Sequence, residues 1–496
     1  MSFTSIQFFL IVLITILLYF AIPSKYKWYV LLISSCYFYL VAAGKRAFVI
    51  ALFSVMICYF AAINIEKSGN ERKRKKLFLS IGIVIVLAIL AIVKLQRFEW
   101  ANCRWIVIPL GISYYTFSLI GYMVDVYSKK QSAEHNFLKM ILFTLYFPKI
   151  MQGPISKFKD LNSKLIEGHK ISYQNICYGF QRILWGYFKK LVIVERASLL
   201  TANIFDGNIS DYSGGGCILF LATIIATVSH YCDFSGYMDI VIGVSQIMGI
   251  ELDENFQQPF FAKTAAEFWR RWHITLGVWF KDYVYMFLVG NPVVINIGKW
   301  VKEHVGRRAG KSIITIIPLA AVWFLTGLWH GTGINYLIWG CYWGIIIIIS
   351  NVFSGEIKNL SKLLHINTKS TDWVVIQTIR TFLIFVGGLL VSTLVGIRQM
   401  KTYVWYLVKD IGADRFNLST LESLGLNMTN AIILVFSIAV LWKVEAIQYR
   451  SKEVRILSEY NWFIRLPIYA LLILVVIMLG IYGPGYTTSG FAYTHF

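Results

Sequence analysis

Long apolar runs recur along the whole chain: Phe3 to Ala21, Trp28 to Ala43, Phe48 to Ile63, Leu77 to Val93, Ile313 to Phe324, Ile334 to Ser350, Trp373 to Val395, Ala431 to Trp442 and Ile468 to Tyr482. Since about 20 apolar residues cross a bilayer core, the pattern predicts an all-α polytopic membrane protein with roughly 10 to 13 membrane segments. Between about Asn102 and Gly340 the runs are broken by Pro, Gly, Asp, Glu, His and Arg. In hydrocarbon, broken backbone and ionisable groups persist only inside protein or along a water-filled cavity. Re-entrant and interfacial helices are therefore predicted in this middle region, and the chemistry with them.

Composition strengthens the membrane reading, with 57% hydrophobic and 15% charged residues among 496, against about 25% charged in soluble proteins. The net charge of +21 suggests nucleic acid only until its placement is read. Lys and Arg sit in short loops between apolar runs, which is the positive-inside pattern. The densest clusters are Glu66 to Lys76, Lys299 to Lys311 and Lys443 to Arg465. Assigning all three to the cytoplasm puts both termini outside. The first run lacks a preceding cation and a small-residue cleavage site, so it reads as a retained span. No soluble domain or repeat stands out, and the chain reads as one membrane domain over 1–496, with N-terminal spans in 1–100, a catalytic core in 101–345 and C-terminal spans with an outer tail in 346–496. Seven scattered cysteines form no C-x-x-C pair and read as packing residues.

Five pieces of the middle carry the unusual residues. They are "PLGISYYTFSLIGYMVDVY" with Asp125, "YFPKIMQGPISKF", "HYCDFSGYMDIVIG" with Asp233 and Asp239, "AAEFWRRWHITLGVWFKDYVY", and "WFLTGLWHGTGINYLIWG". The fourth interleaves Glu267, Arg270, Arg271, His273, Lys281 and Asp282 with aromatics, a composition that suits a membrane interface. In the fifth, His330 stands between glycines at membrane depth. Glycines let another group approach closely, and an intramembrane ionisable residue marks a functional site by default. The other histidines divide simply: His135, His169, His304 and His365 fall in polar loops, His495 lies in the tail, and His230 is open between a helix end and a cavity.

Several chemistries compete for His330. It can tie two helix ends together through a carbonyl hydrogen bond. A metal site lacks further ligands at a fitting spacing, and a serine hydrolase lacks its G-x-S-x-G elbow. A transporter would relay protons through Asp125, Asp233, Asp239 and His330. General-base catalysis of acyl transfer needs only a neutral imidazole that takes a hydroxyl proton.

"FWRRWHITLGVWFKDYVY" and "FLTGLWHGTGINYLIWG" resemble the two histidine-bearing segments of the membrane-bound O-acyltransferase family. "PLGISYYTF", "FPKIMQGPISKF" and "YCDFSGYMDIVIGVSQIMGI" resemble its bacterial polysaccharide O-acetyltransferase branch. The resemblance implies membrane helices around a central tunnel, with His330 as the embedded catalytic base and His273 as the second histidine. Trp329, Asn335, Trp272, Arg271, Asp282 and Asp233 become candidates for lining the tunnel or touching substrate. It implies no bound cofactor and no metal, a cytoplasmic acyl thioester such as acetyl-CoA as donor, and an extracytoplasmic polysaccharide as acceptor; the cations Lys281, Arg270 and Arg271 suit the CoA phosphates by charge, with ordinary positive-inside anchoring as the competing and stronger reading of each one singly. It also implies a bacterial cytoplasmic membrane setting and a separate extracytoplasmic transferase partner of the SGNH type. The terminal "FAYTHF" resembles an acyl-carrying pattern with Tyr493 as the carrier; an aromatic tail packed at the outer interface is the competing reading. A D-alanyl transferase fed by a carrier protein keeps the same chemistry with another donor.

Overall fold

The computed structural model describes residues 3–95, 107–205, 215–394, 396–451, 457 and 460–483. The helices follow in order: α1 (Ile6–Ala21), α2 (Lys27–Lys67), α3 (Arg72–Leu95), α4 (Ile112–Tyr127), α5 (Phe137–Leu145), α6 (Phe158–Ile166), α7 (Tyr173–Tyr187), α8 (Glu195–Phe205), α9 (Gly215–Ile247), α10 (Ala265–Arg271) and α11 (Ile274–Phe280). Then come α12 (Met286–Val289), α13 (Pro292–His304), α14 (Arg307–His330), α15 (Ile334–Val352), α16 (Ser354–Leu363), α17 (Thr371–Thr393), α18 (Gly396–Lys409), α19 (Leu418–Ser423), α20 (Met428–Ser451) and α21 (Trp462–Leu479). The protein is an all-α polytopic membrane protein. Eight of the described helices are long and apolar enough to cross a bilayer, and a ninth span arises if the bent pair from Ile274 to His304 counts as one. Helix α1 is apolar but shorter, at 16 residues, and the middle apolar runs fold into short helices and turns. Two expected spans, Trp28 to Ala43 and Phe48 to Ile63, join end to end in α2 across a kink at Gly44, whose φ of 82° is accessible to glycine at little cost.

Two apolar cores build the body. One joins α1 to α6 with parts of α9 and α11, and the other joins α8 to α10 with α14, α15, α17 and α20. Phe256 packs against both. The C-terminal ends of α3 and α14 meet, where Lys94 Nζ donates to the carbonyl of Trp329.

The interruptions read from the sequence are buried in protein. Tyr146 to Ser156 crosses the interior between α5 and α6 as turns and extended chain, with every residue buried. Gly111, at φ 68°, starts α4 there, and a Cβ on it would stand 1.7 Å from the carbonyl oxygen of Ile150. The Arg- and Trp-rich piece also differs from its interfacial expectation. It forms α10, α11 and a π-helical stretch over Lys281–Tyr285, and it buries Phe268, Trp272, Trp279 and Phe280. Its aromatics pack into both cores, while Lys281 is largely exposed.

Candidate active site

His273 sits where α10 stops and α11 begins, at φ 49° and ψ 51°. This left-handed conformation is uncommon for a residue with a Cβ and costs about 1–3 kcal/mol, so neighbouring contacts must hold it. The segment Asn255 to Gln257 runs antiparallel to Arg271 to Ile274 and supplies them. Gln257 N donates to Arg271 O at 3.0 Å and Ile274 N to Asn255 O at 3.1 Å, while Phe256 and Trp272 form a β-bridge. The side chain of Asn255, fully buried, completes the clamp: its Oδ1 accepts from Thr275 N at 3.0 Å and from Thr275 Oγ1 at 2.7 Å. Thr275 Oγ1 in turn accepts from Ile155 N at 3.0 Å, which ties the irregular crossing segment to the same turn. The held imidazole is 2% exposed, and neither ring nitrogen has a hydrogen-bond partner among the described residues. Buried polar atoms are nearly always paired, so an imidazole held this way is available to another molecule.

His330 ends α14 and lies 8% exposed between the rings of Trp329 and Trp339, at centroid distances of 4.8 and 4.7 Å. Trp329 contacts both histidines, for His273 meets the same ring at 5.8 Å, edge to face. Its indole donates to Ser113 O at 3.4 Å, which fixes it against the start of α4. Lys94 reaches the carbonyl of Trp329 beside His330, and His230 stacks on Trp272, the neighbour of His273, at 5.7 Å. His230, left open by the sequence, thus belongs to this centre, and Lys94 and Asn255 join it without any prior sequence signal beyond their polarity.

The glycines beside His330 serve packing rather than open space. A Cβ on Gly327 would stand 2.6 Å from Tyr336 O, one on Gly340 2.6 Å from Trp323 O, and one on Gly331 2.2 Å from the Tyr336 ring. They let α14 and α15 approach backbone to backbone, as small residues do between membrane helices. The expectation that they provide room for substrate is corrected accordingly.

Open space lies instead on both sides of α11. One cavity of about 500 Å³ is lined by His273, Trp272, Trp269, Arg270, Lys281 and the α14 face around Val322. Another of about 330 Å³ is lined by Phe117, Ser156, Lys157, Thr275 and Trp279. Of the other expected residues, Asn335 ties α15 to α17 by donating to Ser392 O at 2.7 Å. Asp282 pairs with Lys157 at 2.5 Å on the rim of the second cavity. Arg271 faces away, bonded to Glu267 at 3.0 Å and over the ring of Tyr449 at 5.1 Å. Asp233 meets the buried Lys190 at 2.9 Å, and Glu195 meets the same ammonium at 3.0 Å. Asp239 binds both Arg182 and Lys189, and Asp125 accepts from Tyr283 OH at 2.8 Å. Each acid of the alternative proton relay is thus engaged by a fixed donor. Tyr493 lies outside the described residues.

The profile of the membrane-bound O-acyltransferase family matches residues 127–293, which include His273 and end before His330. A "Probable alginate O-acetylase AlgI" of Pseudomonas syringae pv. tomato is 30% identical over 387 residues, 75% of this chain and 68% of the relative. A peptidoglycan O-acetyltransferase of Helicobacter pylori is 28% identical over 61% of this chain and 60% of its own. A teichoic acid D-alanyltransferase of Bacillus subtilis is 32% identical over 49% of this chain and 59% of its own. With two buried histidines sharing Trp329 at the meeting point of its cores, the chain belongs to the membrane-bound O-acyltransferase family, in the branch of the polysaccharide O-acetyltransferases.

Proposed function

We propose that this membrane O-acyltransferase takes an acetyl group from a cytoplasmic thioester, acetyl-CoA, and moves it across a bacterial cytoplasmic membrane for O-acetylation of an extracytoplasmic cell-envelope or secreted polysaccharide. The observation that carries the reading is the pairing of His273 and His330 across Trp329, between a cavity rimmed by Arg270 and Lys281 and the far end of α14. The donor enters from the side of the basic loops, assigned to the cytoplasm by the positive-inside pattern. Its phosphates meet Arg270 and Lys281, and its thioester arm passes His273. At His330 the acceptor hydroxyl oxygen attacks the thioester carbonyl carbon while the imidazole takes its proton. The tetrahedral intermediate then collapses, the C–S bond breaks, and the departing thiolate receives that proton, leaving a free thiol, an ester and a neutral imidazole.

The first acceptor is the phenol of Tyr493, and an extracytoplasmic transferase of the SGNH type passes the acetyl group on to sugar hydroxyls. The similarity to a D-alanyltransferase supports one second reading, with the same site fed by an acyl-carrier protein. Purified protein supplied with radiolabelled acetyl-CoA and with an acyl-carrier donor side by side separates the two. His330→Ala is expected to abolish acyl transfer while the amount of protein in the membrane stays constant. Retained transfer in that variant overturns the assignment of the base.

A further inference from the structure

Away from the histidines, a cavity of about 480 Å³ lies between α7 and α9 on one side and α20 and α21 on the other, within the range of about 300–1,000 Å³ that small-molecule sites occupy. Its walls are apolar side chains of the two last helices, among them Val440, Leu471, Leu472 and Val475. Helix α21 has no buried residue and Leu471 is 62% exposed, so this slot opens between helices that face lipid.

The floor holds two cations and three acids. Arg182 bonds Asp239 at 2.6 Å and Glu254 at 3.0 Å, and Lys189 bonds Asp239 at 2.8 Å. Those two cations are therefore matched by two carboxylates. A third carboxylate, Glu445 on α20, lines the same cavity and is 4% exposed. It accepts a hydrogen bond from Tyr231 OH, and it has no cation within ion-pair distance among the described residues. Lys189 acts on it electrostatically but is held by Asp239. A buried acid without a paired cation is costly to ionise, so a cation brought beside it is favoured, and here it faces open space with apolar walls.

We propose that this cavity binds a membrane lipid whose headgroup carries a primary ammonium group, with the ammonium on Glu445 and one acyl chain laid along α20 and α21. The excess carboxylate disfavours lipids whose headgroup is only a phosphate, even though the chain as a whole is strongly basic. The site stands independently of the acyl-transfer reading.

The test uses the full chain reconstituted in vesicles of equal parts phosphatidylethanolamine and phosphatidylglycerol, extracted in mild detergent, with retained lipid quantified by mass spectrometry. The expected result is retention of phosphatidylethanolamine over phosphatidylglycerol by about tenfold or more, the scale of one charge-assisted hydrogen bond. Glu445→Gln keeps the size of the side chain and an acceptor for Tyr231, and is expected to bring the ratio close to one. Equal retention of the two lipids by the unaltered protein overturns the proposal without needing the variant to fold. A ratio unchanged in Glu445→Gln, or a polypeptide that co-purifies in place of the lipid, overturns it as well.

Discussion

The turn that holds His273 can be tested through Asn255, which touches neither histidine ring in the proposed reaction. Asn255→Ala removes the Oδ1 that accepts from the amide and the hydroxyl of Thr275 at 3.0 and 2.7 Å. The hydroxyl can rotate, but the buried amide of Thr275 is left without an acceptor, at about 1–3 kcal/mol, and a second bond of about 1 kcal/mol goes with it. The loss should be about 2–4 kcal/mol, read as a fall of a few degrees in the thermal unfolding midpoint in detergent. The clamp also offsets the left-handed backbone at His273, so its loss lets the imidazole drift. A displacement near 1 Å costs about 100-fold in rate, and acyl transfer should therefore fall about 10- to 100-fold in kcat with little change in the apparent affinity for donor. Thr275→Val supplies the partner for a double-mutant cycle, in which the two changes should couple by about 0.5–1.5 kcal/mol. Strict additivity, or unaltered kcat in Asn255→Ala, would refute the idea that this amide sets the histidine.

Gly340→Leu drives a branched side chain into the carbonyl of Trp323, whose oxygen stands 2.6 Å from a Cβ at that position. It is expected to cost about 1–3 kcal/mol or more by overpacking and to lower activity through displacement of His330, measured by thermal unfolding and by acyl transfer together. Asp239→Leu takes from the buried Lys189 its ion-pair partner and leaves Arg182 with Glu254 alone, and should cost about 3–5 kcal/mol; recovery of folded protein from the membrane reads this directly. Lys157→Met, by contrast, breaks a pair whose side chains are 28% and 22% exposed, and a change of no more than about 1 kcal/mol is expected in the same assay. Tyr493→Phe should remove the acetyl adduct that intact mass of the C-terminal peptide shows after donor treatment, and an adduct that persists in the variant excludes the phenol as carrier.

Apolar periodicity and length alone determined that the chain is helical and lies in a membrane, because hydrocarbon leaves the backbone few alternatives and shows its demand directly in composition. The same constraint singled out His330, since an ionisable group between apolar runs stands out in one dimension, and the wording around His273 and His330 pointed to the family. The sequence left the course of the middle open, because a run interrupted by Pro and Gly looks the same whether it crosses the bilayer or turns back inside the protein. It also left the Trp- and Arg-rich segment at the membrane surface, since aromatic and cationic residues suit both an interface and a crowded core. Only tertiary structure showed that Asn255, eighteen residues before His273, holds its turn, that Trp329 faces both histidines, and that Asp233 belongs to Lys190. Those relations are set by which helices pack side by side, and contacts between distant segments leave no periodic trace along the chain. The glycines around His330 show the limit most plainly: in sequence they suggest room, and in three dimensions α15 fills it.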